Sequence, residues 1–142
     1  MEHLAILNKK LNLLPKILIG KKTIESRWYK FKKDPYQNIS SGEIVYFKNS
    51  GEPVSVKAMV EKVLFFENLD NAKIKDLLEV YGSCIGVDIS YLENLTGKNY
   101  CTLIFLKDVE EIKPFEIDKK GYGNMAAWIT LDSIETIKKN HL

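Results

Sequence analysis

The sequence predicts a single α+β domain whose strands curl into a small barrel flanked by short helices. Three observations point there. At 142 residues with 45% hydrophobic content, the chain is long enough for one core and too short for two ordinary domains. The run from Val54 to Phe66 alternates as a barrel strand does, with Val54, Val56, Ala58 and Val60 on one side and Ser55, Lys57, Met59 and Glu61 on the other. Short helical stripes, each closed by a glycine, fall between the strands.

Taken in order, His3 to Leu7 reads as a short apolar strand. From Lys10 to Ile19, Leu11, Leu14, Ile17 and Leu18 recur at helical spacing. Pro15 is tolerated only in a first turn, so this helix begins near Asn12, and Gly20 caps its end. Thr23 to Trp28 is the next strand. Lys30 to Ser41 reads as a loop broken by Pro35, Asn38 and Ser40. Tyr29, Phe31 and Tyr36 among its lysines suit covering a barrel end, or else stacking on bases. The Ser41-Gly42 turn leads to the strand Glu43 to Lys48, and the turn Asn49 to Glu52 leads to the long strand. Pro53 opens that strand, where a proline costs no ladder bond.

Asp70 caps a helix carrying Ile74, Leu77, Leu78 and Tyr81 on one stripe and ending at Gly82. Asp88 caps a shorter one through Leu95, ending at Gly97, and neither helix shows a pattern that points to chemistry. Tyr100 to Leu106 is a dense apolar strand, and Val109 to Ile117 contains a second, interrupted by Pro114. A glycine-punctuated loop, Lys119 to Asn124, precedes the strand Ala126 to Ile129. Asp132 or Ser133 caps a terminal helix with Ile134 and Ile137 on its buried side. By alternation Trp28 and Trp128 belong to the core.

The formal net charge of +2 is far from that of a dedicated nucleic-acid scaffold. The distribution is uneven, however. Lys9, Lys10, Lys16, Lys21, Lys22, Arg27, Lys30, Lys32 and Lys33 crowd residues 1–33 against Glu2 and Glu25 alone, and Lys119-Lys120 adds a later pair. By itself such a run describes a solvated surface. Cys84 and Cys101 show no metal-ligand spacing, so neither a metal site nor a disulfide framework is expected; they read as buried thiols in a reducing compartment. Leu4 to Leu7 is too short for a signal peptide, and no stretch approaches the roughly 18 apolar residues of a membrane span. A cytoplasmic location with no membrane partner is the expectation. His3, in a strand, and His141, near the C-terminus, read as structural rather than catalytic.

One stretch stands out. In Gly20-Lys21-Lys22-Thr23-Ile24-Glu25-Ser26-Arg27-Trp28, period-two alternation puts Thr23, Glu25 and Arg27 on one face and Ile24, Ser26 and Trp28 on the other. A wholly polar face is solvated or lines a cleft. An exposed Glu25–Arg27 pair would be worth about 0–1 kcal/mol and no more.

The string G-x-K-T-[IV]-E-x-R-W resembles the signature of the ASCH domain, a small PUA-like β-barrel module linked to RNA and to modified nucleosides. The segment K-G-Y-G-N-M-A-A-W extends the resemblance to nearly the whole chain, 1–142. It implies a PUA-like barrel with a cleft at one end lined by Lys22, Glu25 and Arg27, with Lys21 and Thr23 beside them. An arginine fork suits phosphate or a base edge, and a carboxylate accepts from exocyclic amines. Lys119, Lys120, Tyr122 and Asn124 would close one side, Tyr122 laying its ring on a base.

Binding of RNA or a modified nucleoside is the leading function, without cofactor or metal. A small hydrolase on the same ligands is the alternative. Some ASCH relatives are similar in fold and act as amidohydrolases on N4-acetylcytidine through a lysine, a threonine and a glutamate, and ribonuclease activity is attributed to others. Lys22 matches the lysine, but Glu25 stands where the nucleophilic threonine would, and a carboxylate does not replace an activated hydroxyl without changing the mechanism. In a hydrolase Glu25 would serve as general base and Lys22 as electrostatic stabiliser, with Arg27, Lys48 and Lys57 as cations at a phosphate. A third expectation is a protein-interaction adaptor that presents the barrel surface to a protein partner.

Overall fold

Among the described residues six strands pair into one mixed sheet, most of them rich in β-branched and aromatic residues: β1 (Glu2–Leu7), β2 (Ile24–Tyr29), β3 (Ile44–Asn49), β4 (Val54–Phe66), β5 (Tyr100–Phe115) and β6 (Trp128–Leu131). The structure is a computed structural model and describes residues 1–119, 121–123 and 125–139. Sheet order is β2-β5-β4-β3-β1-β6. β1 lies parallel to β3, and the other pairings are antiparallel. β4 and β5 pair with register shifts at Val54/Val56, Lys57/Met59 and Val60/Lys62. Irregularities of this kind bend a strand and increase its twist, which curls the sheet into a half-barrel.

Two α-helices, α1 (Leu13–Leu18) and α2 (Asn71–Ile85), and three 3-10 segments, Lys9–Leu11, Ile89–Leu95 and Ile134–Thr136, flank the sheet. The barrel interior is filled by Ala5, Leu7, Val45, Phe47, Val56, Ala58, Val60, Ile104 and Leu106, with Leu14 and Ile17 of α1 against them. On the other face of β2 and β5, Ile24, Trp28, Cys101 and Leu103 pack on Ile74, Leu78 and Ile85 of α2. Each such side chain contributes roughly 1.5–3 kcal/mol on burial. That packing fixes the parity of β2: Ile24 and Trp28 go to the α2 layer, so Glu25 and Arg27 are turned to the barrel side.

Several boundaries differ from the sequence reading. α2 runs past Gly82 to Ile85, and Gly86, at φ 93°, is the left-handed cap. Gly82 is instead a close-approach position, where the amides of Gly86 and Val87 both donate to its carbonyl and a Cβ would meet the Val87 oxygen at 3.1 Å. The stretch from Tyr100 to Phe115 is one bent strand and not two, with Asp108 at φ 51° in the bend. Pro114 is tolerated because β2 covers β5 only as far as Phe105, leaving that edge open. The last strand begins at Trp128, and the expected terminal helix is a single 3-10 turn capped by Ser133.

Other expectations hold. Pro15 sits in the first turn of α1, Asp70 caps α2 by accepting from the Lys73 amide, and Asp88 caps the segment Ile89–Leu95. Tyr36 is buried edge-on against Phe65 and Tyr100, covering the barrel end, whereas Phe31 is exposed. Trp28 and Trp128 are both buried. Cys101 is buried, and burial pushes its thiol up, away from reactivity, whereas Cys84 is only half-buried, contrary to the expectation of two buried thiols. Among the described residues no helix is long and apolar enough to cross a membrane.

Candidate functional site

The last carbonyls of a helix have no partner within it. At the end of α2 and its Gly86 cap, Lys16 of α1 and the connector between α1 and β2 supply partners for three consecutive ones. The Thr23 amide donates to Cys84 O (2.8 Å), the Lys22 ammonium to Ile85 O (2.7 Å), and the Lys16 ammonium to Gly86 O (3.2 Å). Cations here also complement the negative end of the helix dipole. Lys22 is 1% exposed and is the largest fully buried side chain among the described residues. Its other donors go to Ile24 O (2.7 Å) and to Glu25 Oε1 (3.2 Å). An ammonium has three hydrogens to give, and all three are committed. Burial pulls its pKa down, while Glu25 opposes that pull.

Glu25 is equally engaged. Oε1 accepts from Lys22 and from the Ser26 amide (3.1 Å), and Oε2 accepts from Arg27 Nη2 (3.1 Å). Burial alone would raise its pKa, but Lys22 and Arg27 together hold the carboxyl below the usual range. Arg27 then crosses to the far end of the sheet. Nη2 also donates to Ile6 O of β1 (3.2 Å) and Nη1 to Ala127 O just before β6 (3.1 Å), while the guanidinium carbon lies 5.2 Å from the centre of the Trp128 ring. β2 and β6 are the two edges of the sheet. The half-barrel is therefore stitched across its open seam by side chains, in the order α2 carbonyl, Lys22, Glu25, Arg27, then the Ile6 carbonyl of β1 and the Ala127 carbonyl just before β6.

Above this seam lies a cleft of about 580 Å³, within the range of small-molecule sites. The charged trio forms its floor. Tyr91, Asn94 and Lys98 form one wall, Lys119, Met125, Ala126 and Ala127 the other, and Asn8, Leu11 and Tyr29 also border it. Among the described residues, four cations, Lys22, Arg27, Lys98 and Lys119, line it against one carboxylate, that of Glu25. Arg27 Nε is buried without a hydrogen-bond partner, so a desolvated donor remains on the floor. Among the described residues no group of three or more His, Cys, Asp or Glu could hold a metal ion.

Lys22, Glu25 and Arg27 converge as the motif suggests, and Lys119 joins them at the rim, donating to Ala126 O (2.9 Å). Thr23 is exposed and outside the cleft lining, as is Tyr122. Lys21 borders a neighbouring depression. Lys48 is buried elsewhere on β3, with Glu116, Lys119 and Lys139 as charged neighbours, and Lys57 pairs with Glu110 on the outer face at 3.1 Å. Lys120, Asn124 and His141 lie outside the described residues. The sequence reading missed Tyr91, Asn94 and Lys98, having assigned no chemistry to their segment. The available signal was the i, i+3 spacing of Tyr91 and Asn94, which eclipses side chains on a 3-10 helix.

No protein-family model matches the chain, and no curated protein sequence does. Solved structures do. The ASCH protein from Zymomonas mobilis superposes with a TM-score of 0.70 at 18% identity, over 95% of this chain and 90% of that one. A single-substitution variant of it gives 0.70 at 19% identity, over 95% and 93%. A hypothetical protein designated PH0355 gives 0.51 at 23% identity, over 79% of this chain and all of that one. At such identities the likeness concerns the fold alone: the chain shares with these ASCH proteins an α+β half-barrel of six mixed strands.

Proposed function

We propose that the protein binds RNA or a modified nucleoside in the seam cleft. The carrying observation is a cationic, aromatic-walled recess whose one acid is neutralised from below, so that the field offered to a ligand is positive. Arg27 spends three of its hydrogen bonds on Glu25, Ile6 and Ala127, the Tyr29 hydroxyl is a further side-chain partner, and Nε is the donor that has none. Lys98 and Lys119 border the cleft as cations suited to phosphate, and the aromatic side chains Tyr91 and Tyr29 border it too, Tyr29 with the Lys33 ammonium over its ring. The same geometry counts against Glu25 as a general base, because both carboxylate oxygens are engaged and its pKa is lowered.

The test is fluorescence anisotropy with a labelled degenerate RNA octamer across a salt series, comparing wild type with Arg27→Ala and Lys98→Gln. Affinity should fall with salt, and Arg27→Ala should weaken binding by about 2–4 kcal/mol if its charge-assisted bonds to phosphate or base are lost. A folded Arg27→Ala variant that binds as wild type does removes the proposal.

A further inference from the structure

Beside the seam cleft lies a second depression of about 650 Å³, bordered by Lys10, Lys16, Lys21, Gly86, Asp88 and Ser90. The two are not separate features. Leu11, Val87, Tyr91 and Asn94 border both, so Tyr91 and Asn94 form a saddle between them. One side of the saddle is the Arg27 floor. The other carries three lysines against one carboxylate, Asp88, whose Oδ1 already accepts from the amide and hydroxyl of Ser90. Lys16 gives a hydrogen to Gly86 O and has two left, and Lys10 and Lys21 are exposed.

We propose that the two depressions form one groove for a single-stranded polynucleotide, in which the nucleotide in the seam cleft is followed across the Tyr91–Asn94 saddle by a phosphodiester held on Lys10, Lys16 and Lys21. This deepens the RNA-binding reading of the seam cleft and rests on it: the ligand is a strand and not a free nucleoside. A free nucleoside would occupy the first depression and give the lysine-lined one nothing to neutralise. A strand meets alternating features along its length, with cations for each phosphate and a ring at the step between.

The experiment measures binding of a labelled degenerate single-stranded RNA octamer against salt concentration. It compares wild type, K10Q/K21Q, Arg27→Ala and K75Q/K113Q, the last removing two exposed lysines that border neither depression. Each phosphate contact contributes about 0.7 to the log–log salt slope for a single strand, so K10Q/K21Q should flatten the slope by about 1.4 and weaken binding by roughly tenfold. K75Q/K113Q should do neither. Equal weakening by both lysine pairs would reduce the effect to net charge and overturn the groove, as would a K10Q/K21Q variant indistinguishable from wild type. If Arg27→Ala is impaired while K10Q/K21Q is not, the seam cleft stands and its extension falls. A loss on K10Q/K21Q with Arg27→Ala unaffected would mark a plain basic patch and remove both.

Discussion

Replacing Lys22 by methionine keeps the length and apolar stem of the side chain and removes only its hydrogen-bonding head. The structure gives the consequences. Ile24 O and Ile85 O lose their 2.7 Å partner, and Glu25, 3% exposed, keeps Arg27 as its one cation. Each orphaned buried acceptor costs about 1–3 kcal/mol, and breaking a buried ion pair from one side costs about 3–5 kcal/mol. These overlap, since one ammonium serves all three partners, so the expected destabilisation is about 4–6 kcal/mol. Against a net stability of about 5–15 kcal/mol, that leaves the variant near its unfolding threshold. Urea denaturation followed by tryptophan fluorescence measures it: with a slope of about 1–3 kcal/mol/M, the midpoint should fall by more than about 1 M. The double variant K22M/E25Q removes the stranded charge as well and should be less destabilised than the sum of the single changes by at least about 1 kcal/mol. A midpoint shift for Lys22→Met below about 0.5 M at unchanged slope, or strict additivity in the double variant, would refute the claim that this ammonium ties α2 to β2.

The same geometry makes four further predictions. Stability should decline in acid in two stages. His3, fully buried and with its pKa lowered from 6.5 by burial against the pull of Glu43, refuses a proton that the unfolded chain accepts, so stability falls as pH drops from 6.5 towards the lowered folded value. Glu25, with its pKa lowered below 4.5, contributes stability that is present above 4.5 and lost as pH falls through the folded value; thermal midpoints from pH 7 to 3 should flatten in the upper window for His3→Gln and in the lower one for Glu25→Gln. Tyr91→Ala should cost about 1–3 kcal/mol of RNA affinity and Tyr91→Phe little, as expected for a stacking ring, checked by the same anisotropy titration. Gly86→Ala should lower stability by about 1–2 kcal/mol, because φ 93° is strained for any side chain, and a urea midpoint equal to wild type would contradict the capping role. Lys57→Ala should leave RNA binding unchanged, since this side chain faces away from the cleft and pairs with Glu110.

Much of the fold was legible because it is written in local patterns. The period of two in β4 and the cap at Asp70 needed no tertiary information. What was misread depended on neighbours. Gly82 looks like a helix stop, and only the approach of Val87 O reveals that it is a contact within a longer helix. The break at Lys107-Asp108 looks like a strand end, and only pairing with β4 carries the strand through it. In the site, the alternation from Ile24 onward put Glu25 and Arg27 together, but Lys22 precedes the strand and lies outside that alternation. Its placement depends on α2 carbonyls more than sixty residues away in the chain.

That distinction changes what the signature specifies. Lysine, glutamate and arginine in this spacing look like ligand-contacting groups, yet the ammonium is fully committed, the carboxylate is held by two cations and an amide, and the guanidinium gives most of its bonds to the seam. An arrangement so fully satisfied is first of all a closure for a sheet whose edges do not meet through backbone bonds, and of the trio it leaves only Arg27 Nε as a donor without a partner. Discrimination between ligands must then fall on the groups above the floor: Tyr91, Asn94 and Lys98 on one side and Lys119 with the chain leading to Ala127 on the other. None of these belongs to the nine-residue motif. Substitutions at Asn94 and Lys98 should therefore alter which RNA is preferred while leaving the urea midpoint in place, whereas Lys22 and Glu25 substitutions should lower the midpoint before they alter preference. The opposite pattern would return the trio to the role of direct contacts.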